Sequence, residues 1–358
     1  MRNVAFFIRS LNKGGAETQS ILISNLLAGD YNTKLIVFRE DGDLVSTARD
    51  LLGRDLIILE SKFLLSKLIE LYRILKNEKI DILFNYLPSN NIYGIIIGRL
   101  AGTKYLVGGI RGSRIKSNKL KMVIQKALFN SLADYVISNS HKAAETYSEY
   151  GVNKRKIIVI PNSISFTLKQ IEKNNSKQIT ILSIGRFIAE KDYHTSLKAI
   201  RKVVNSNALA SDIKYIIIGY GLLMDQIVEW VDQLGLNENV EIIENPHDVN
   251  LYYQKADIFL LTSVNEGMPN VVLEAMMHSL PVVSTNAGDV DKIVENGESG
   301  FVTEKGDVEG LSDSLSQLIS SYQLRVKFGN NGFQIVNSNF SSTIIKTNYQ
   351  KLIDSLNG

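Results

Sequence analysis

The chain has 358 residues, enough for two domains that each close a core of their own. An apolar fraction of 44% and a charged fraction of 22% are those of an ordinary globular protein, and a formal net charge of +3 offers no field that would gather nucleic acid. Cysteine is absent, which excludes disulfides, a thiolate nucleophile and Cys-ligated metal centres, and suits a reducing cytoplasm.

Residues 1–9 hold too short an apolar run for a signal peptide, and no stretch reaches the ~18 apolar residues of a membrane span. Residues 4–8 read as a first strand and 16–27 as a helix. Strands follow at 34–38 and 56–59, then a helix at 64–76, then strands at 80–84, 104–107, 135–138 and 157–160. Such alternation of short β-branched runs with amphipathic ones predicts a parallel sheet covered by helices on both faces. A polar stretch, 166–178, has the composition of a linker between a first domain at 1–165 and a second at 179–340. The rhythm then restarts, with strands expected at 179–184, 215–218, 240–243, 258–261 and 282–284. A last helix, within 341–358, comes after the second domain looks complete. The fold class is therefore α/β, with two Rossmann-like, doubly wound domains facing across a cleft of the kind that holds ligands.

The most informative segment is Glu266-Gly-Met-Pro-Asn-Val-Val-Leu-Glu274. It lies between an apolar strand and an apolar helix, at the strand end where open α/β sheets place ligands. Gly267 permits close backbone approach, Pro269 suits a helix start, and the first helix amides carry partial positive charge. Two acids at one helix mouth can grip sugar hydroxyls; a dipole-complementing acid with a helix-surface acid is the plainer alternative. Gly185, Arg186 and Lys191 form a second cluster after the strand at 179–184. Guanidinium matches phosphate oxygens in bidentate fashion and ammonium adds a point charge, although two solvated cations would read the same way. Gly14 and Gly15 follow the first strand, as a phosphate- or sugar-facing loop or as a plain turn. Asp289-Val-Asp291 superficially resembles an Asp-x-Asp metal motif, but its loop setting favours a helix cap. No histidine pair has metal-ligand spacing. From Arg111 to Lys126 there are six basic residues and no acid, interleaved with apolar ones. This is the pattern of a basic amphipathic helix, resting on anionic lipid or docked on its own domain.

These motifs, with Ile160-Pro-Asn-Ser-Ile164, Ile218-Gly-Tyr-Gly221, Pro281-Val-Val-Ser-Thr285 and Asn296-Gly-Glu-Ser-Gly-Phe-Val302, stand in the order found in retaining glycosyltransferases of the family 4 type, whose fold is GT-B. The chain resembles that family over nearly its whole length. The resemblance implies a metal-independent enzyme that moves a hexose or N-acetylhexosamine from a nucleoside-diphosphate sugar, with uridine the expected base, to a glycan or lipid-linked oligosaccharide of the cell envelope. It implies no cofactor beyond the donor. Arg186, Lys191 and Glu266 would be catalytic. Gly14, Gly15, Gly185, Arg186, Lys191, Glu266, Gly267, Met268, Pro269, Asn270 and Glu274 would hold the donor, with Glu274 on the ribose. The terminal helix would cross back to the first domain. A histidine usual on the acceptor side is missing here, leaving Arg111 as the nearest polar candidate, either on an acceptor phosphate or merely exposed. The protein would be cytoplasmic, touching an anionic membrane through residues 111–129, with no nucleic-acid partner. A nucleotide-sugar-binding protein without turnover and a GT-B nucleotide-sugar epimerase are the competing readings.

Overall fold

The computed structural model describes residues 1–356 except 13, 113–118, 165–176, 207–211 and 247. Residues 166–176 of the expected linker therefore lie outside the described residues. The chain divides into two compact units, Met1–Ser165 with Ser342–Gly358, and Phe166–Ser341.

In the first unit, β1 (Asn3–Ile8), α1 (Gly15–Leu27), β2 (Asn32–Val37), α2 (Val45–Leu52), β3 (Leu56–Ile58), α3 (Leu64–Asn77), β4 (Ile82–Asn85) and α4 (Pro88–Ala101) alternate along the chain. They are followed by β5 (Tyr105–Ile110), α5 (Lys119–Ser131), β6 (Tyr135–Ser138), α6 (His141–Glu149) and β7 (Ile157–Val159). The sheet order is β3-β2-β1-β4-β5-β6-β7, all parallel. The central strand β1 is almost wholly apolar because both of its faces are covered, and Val4 through Ile8 are fully buried. One face of the sheet packs against α1 and α2, the other against α3, α4, α5 and α6. The terminal helix α14 (Ser342–Ser355) joins the first of these layers and buries Ile345, Tyr349, Leu352 and Ile353 there.

The second unit contains β8 (Ile179–Ile184), α7 (Tyr193–Ser206), β9 (Ile213–Gly219), α8 (Met224–Gln233), β10 (Val240–Glu244), α9 (Asn250–Lys255) and β11 (Ile258–Leu261). It continues with α10 (Asn270–Met277), β12 (Val282–Thr285), α11 (Val290–Ile293), β13 (Gly300–Thr303), α12 (Val308–Ser320) and α13 (Tyr322–Asn339). The strand order is β10-β9-β8-β11-β12-β13, again all parallel. The chain leaves β8 toward β9 on one side and later returns to β11 on the other. The order therefore reverses between β8 and β11, the position in such sheets where ligands are bound.

Two expectations are corrected. β13 is a sixth strand of the second sheet, beyond the five expected there; it is an edge strand that begins on a glycine. The basic stretch is not one helix from Arg111. Arg111 directly follows β5 and is not helical, Lys119, Lys121 and Lys126 belong to α5, and Arg114 and Lys116 lie outside the described residues.

Candidate functional site

Strands β8 and β11 are direct neighbours, with Ile258 opposite Ile181 and Phe259 opposite Leu182. The loops leaving them are stitched together. The Thr262 hydroxyl donates to the carbonyls of Lys191 (3.1 Å) and Asp192 (2.9 Å), and the Val264 amide donates to the Glu190 carbonyl at 2.9 Å. Asp192 adopts a left-handed backbone (φ 47°) and accepts from the Thr195 hydroxyl at 2.7 Å, which starts α7. These bonds bring Lys191 and Glu266 into contact. Lys191 Nζ lies 2.6 Å from Glu266 Oε1, and each side chain is only 16% exposed. At that burial the pair is screened far less than a surface ion pair.

Gly185 stands where a Cβ would sit 3.0 Å from Lys191 Cε and 3.2 Å from the Tyr193 hydroxyl. Its neighbour Arg186 is exposed and has no ion-pair partner among the described residues. The backbone beneath Arg186 is fixed, because the Phe187 amide donates to Tyr220 at 2.7 Å and the Leu223 amide to Phe187 at 3.1 Å. Gly221 (φ 147°) makes this fit: a Cβ there would lie 2.6 Å from the Phe187 carbonyl oxygen. A guanidinium thus projects from a rigid base.

The other acid is not a helix-surface carboxylate. Glu274, in α10, accepts at Oε2 from the buried Tyr253 hydroxyl at 2.8 Å. The Tyr253 ring stacks on His278 at 4.9 Å, and His278 Nδ1 lies 2.8 Å from the Glu274 carbonyl. Burial raises the Glu274 carboxyl above the ordinary glutamate range, with the Tyr253 bond opposing. Burial and the nearby Glu274 charge push the Tyr253 hydroxyl well up. Glu274 Oε1 makes no hydrogen bond to a described residue, so one oxygen is anchored and the other is open.

The segment between the acids turns into α10. Pro269 is its N-cap residue and Asn270 its first helical residue, while Met268 is buried. Gly267 is held from behind, since its carbonyl accepts from the Asp289 amide at 3.0 Å. Gly288 (φ 67°) comes so close that a Cβ would lie 2.8 Å from the Glu266 carbonyl carbon. Asp289 occupies the N-cap position of α11 but makes no side-chain capping bond, contrary to the capping role expected of it. Among the described residues no group of three or more His, Asp or Glu is placed to hold a metal ion.

Gly14 and Gly15 lie in the first unit, Gly14 as the extended N-cap and Gly15 as the first residue of α1. Arg111 is not merely exposed. Its guanidinium carbon stacks 4.0 Å from the Tyr86 ring centroid, Nη2 donates to the Tyr349 hydroxyl at 3.3 Å, and Nη1 donates to Asn162 Oδ1 at 3.4 Å. Burial pulls its pKa down, but the Tyr86 and Tyr349 oxygens more than reverse this. Asn162 belongs to a segment clamped by Gln19, whose amide exchanges two 2.7 Å bonds with the Ser163 backbone.

Tyr253, His278, Thr262 and Gly288 are site-building residues that the sequence did not point to. Gly288 carried a signal, a glycine turn directly after a strand. Tyr253 and Thr262 carried none, because their partners are tertiary.

Two family models match the chain in succession. Glycosyltransferase Family 4 matches residues 13–167, and Glycosyl transferases group 1 matches residues 165–335. Among curated proteins, the chain is 27% identical to the capsular polysaccharide biosynthesis glycosyltransferase CapM of Staphylococcus aureus over 78% of each chain. It is also 27% identical to the Escherichia coli UDP-Gal:alpha-D-GlcNAc-diphosphoundecaprenol alpha-1,3-galactosyltransferase over 76% of each. Its fold is that of Anabaena HepE, solved in complex with UDP, with a TM-score of 0.85 at 19% identity over 99% of this chain and 100% of that one.

Proposed function

We propose that this chain, which belongs to the family 4 glycosyltransferases through both of its domains, transfers a hexose or N-acetylhexosamine from a UDP-sugar to a hydroxyl of a glycan or lipid-linked oligosaccharide, with retention and without a metal. Its relatives are named for capsular polysaccharide synthesis and for a UDP-galactose donor with a diphosphoundecaprenol acceptor, which supports this class of donor and acceptor. One observation carries the site assignment. The β8 and β11 loops hold Lys191 against Glu266 at the switch point of one sheet, beside the N-terminus of the helix that carries Glu274, with Arg186 exposed on the same β8 loop.

In this reaction the bond from sugar C1 to the diphosphate oxygen breaks, and a bond from C1 to the acceptor oxygen forms on the same face. The acceptor's proton passes to the departing diphosphate. Arg186 offers two parallel donors to phosphate oxygens. Lys191 has three N–H donors, so it can keep Glu266 and still reach a phosphate. The two cations offset the charge that grows on the leaving group. Glu266 orients Lys191 and borders the sugar, with the α10 amides alongside. Glu274 accepts from the ribose hydroxyls through Oε1 while Tyr253 holds Oε2.

The test is release of nucleoside diphosphate from a panel of nucleotide-sugars with EDTA present, followed by the anomeric configuration of the product. Sustained release and retained configuration are expected. Activity that vanishes under EDTA and returns with manganese, or an inverted product, overturns the corresponding part.

A further inference from the structure

Tyr193 opens α7 two residues after Lys191 and is only 4% exposed. Its ring meets Phe187 edge-to-face at 5.4 Å, and its hydroxyl donates to the Gly185 carbonyl at 2.9 Å. The start of α7 is itself tied to the sheet. The Tyr215 hydroxyl of β9 lies 2.8 Å from Ser183 Oγ in β8 and 2.9 Å from Ser196 Oγ in α7. Ser196 donates to the Tyr193 carbonyl at 2.8 Å, and Ser183 to the Leu260 carbonyl of β11 at 2.6 Å. Burial, with Tyr215 and the Glu266 charge, holds the Tyr193 hydroxyl well above its ordinary range, so it remains a donor at neutral pH.

The carbonyl that Tyr193 holds belongs to the peptide joining Gly185 to Arg186. Lys191 and Tyr193 crowd the place of a Cβ at Gly185, and a residue without one has loosely restrained torsions. The phenol supplies the missing restraint. In a trans peptide the N–H points opposite to the carbonyl. With the carbonyl turned onto a buried phenol, the Arg186 N–H is turned away from the core, at the carboxyl end of β8. Its neighbours are all engaged. The Gly185 amide donates to Ile218 at 2.9 Å, the Phe187 amide to Tyr220 at 2.7 Å and the Ile188 amide to Arg186 at 2.9 Å. From 185 to 188, only the Arg186 amide makes no hydrogen bond to a described residue. Backbone donors are rarely left idle, and one fixed in advance beside two cations suits an anion.

We infer that the backbone N–H of Arg186 is a further donor to the departing diphosphate, and that Tyr193 is the positioning residue that aims it by holding the Gly185 carbonyl. The inference deepens the proposed function and rests on it. Arg186 then meets the leaving group twice, through its guanidinium and through its main chain. The N–H bond strengthens as charge collects on the phosphate oxygen, so it favours the departing diphosphate over the intact donor.

The experiment is Tyr193→Phe in the full chain, read by steady-state kinetics and by calorimetric binding of UDP and of uridine. Phenylalanine keeps the ring against Phe187, so the melting temperature should fall by only about 2 °C. With the carbonyl released, kcat should drop about tenfold while the donor KM stays within about twofold. UDP, which carries the charge of the leaving group, should bind about tenfold more weakly, and uridine as tightly as before. Tyr215→Phe loses a hydroxyl one layer deeper and should lower the melting temperature without moving kcat or UDP affinity. Unchanged kcat and UDP affinity in Tyr193→Phe would overturn the inference. So would uridine affinity falling in step with that of UDP, the sign of a loosened fold, or the same pattern in Tyr215→Phe. A parent that binds UDP but turns over no nucleotide-sugar would defeat the proposed reaction instead, and the UDP–uridine contrast would still decide where the amide points. A parent that does not bind UDP would overturn both.

Discussion

Arg186 and Arg111 each stand just beyond the carboxyl end of a parallel strand, yet the fold treats them oppositely. Arg186 is exposed on a backbone pinned from two sides, with its guanidinium unengaged by described residues. Arg111 is stacked on Tyr86 and bonded to Tyr349 and Asn162. A charge left open on a rigid base is available to a ligand, whereas a charge already stacked and bonded mainly holds structure. The same residue type after the same kind of element therefore carries different prospects, decided by what the rest of the chain supplies.

The largest effect should come from the open arginine. Arg186→Ala is expected to lower turnover about 100-fold, near 2.7 kcal/mol of transition-state stabilisation, with the melting temperature unmoved. A loss of stability without a loss of turnover would erase the contrast. Next comes Arg111→Ala, which should cost about 2 kcal/mol of stability in urea unfolding, through the lost stacking and two hydrogen bonds. If it unfolds no more easily than the parent but loses acceptor affinity, Arg111 is a ligand group after all.

Tyr253→Phe tests whether Glu274 needs its anchor. The donor KM should rise about fivefold, the worth of one hydrogen bond near 1 kcal/mol, with kcat retained. The smallest effect is on stability. Burial holds the Glu274 carboxyl above the usual range, so ionising it at neutral pH opposes folding. That penalty is absent below the ordinary glutamate pKa of about 4 and grows as pH rises through the raised value. Glu274→Gln should therefore melt slightly higher than the parent at neutral pH, with the gap closing toward pH 4. A gap that widens on acidification would reverse the sign.

Much of the architecture was legible because parallel strands advertise themselves. β1, β8 and β11 are apolar runs with turn residues after them, and their helices follow at regular intervals. β13 escaped because it opens on Gly300 and offers only Phe301 and Val302 as an apolar pair. The loop residues were legible as types. Glycine, arginine, lysine and paired glutamates after strands suggested phosphate and sugar chemistry. Their engagement was not legible. Lys191 meets Glu266 across 75 positions and Arg111 meets Tyr349 across 238, and no periodicity reports contacts that long. Tyr253 lay hidden for the same reason, since only the packed α10 reveals what its hydroxyl faces.

Helix α14 gives the first unit core residues, although it leaves the ribosome after the whole second unit. During synthesis the amino-terminal sheet must wait, with Phe6 and Phe84 lacking Tyr349 as a neighbour, until the whole contiguous carboxyl-terminal unit has emerged. The order of maturation is thereby inverted relative to the order of translation. A nascent chain stalled before residue 342 should bind chaperones through a half-covered amino-terminal unit while its later half is already protease-resistant.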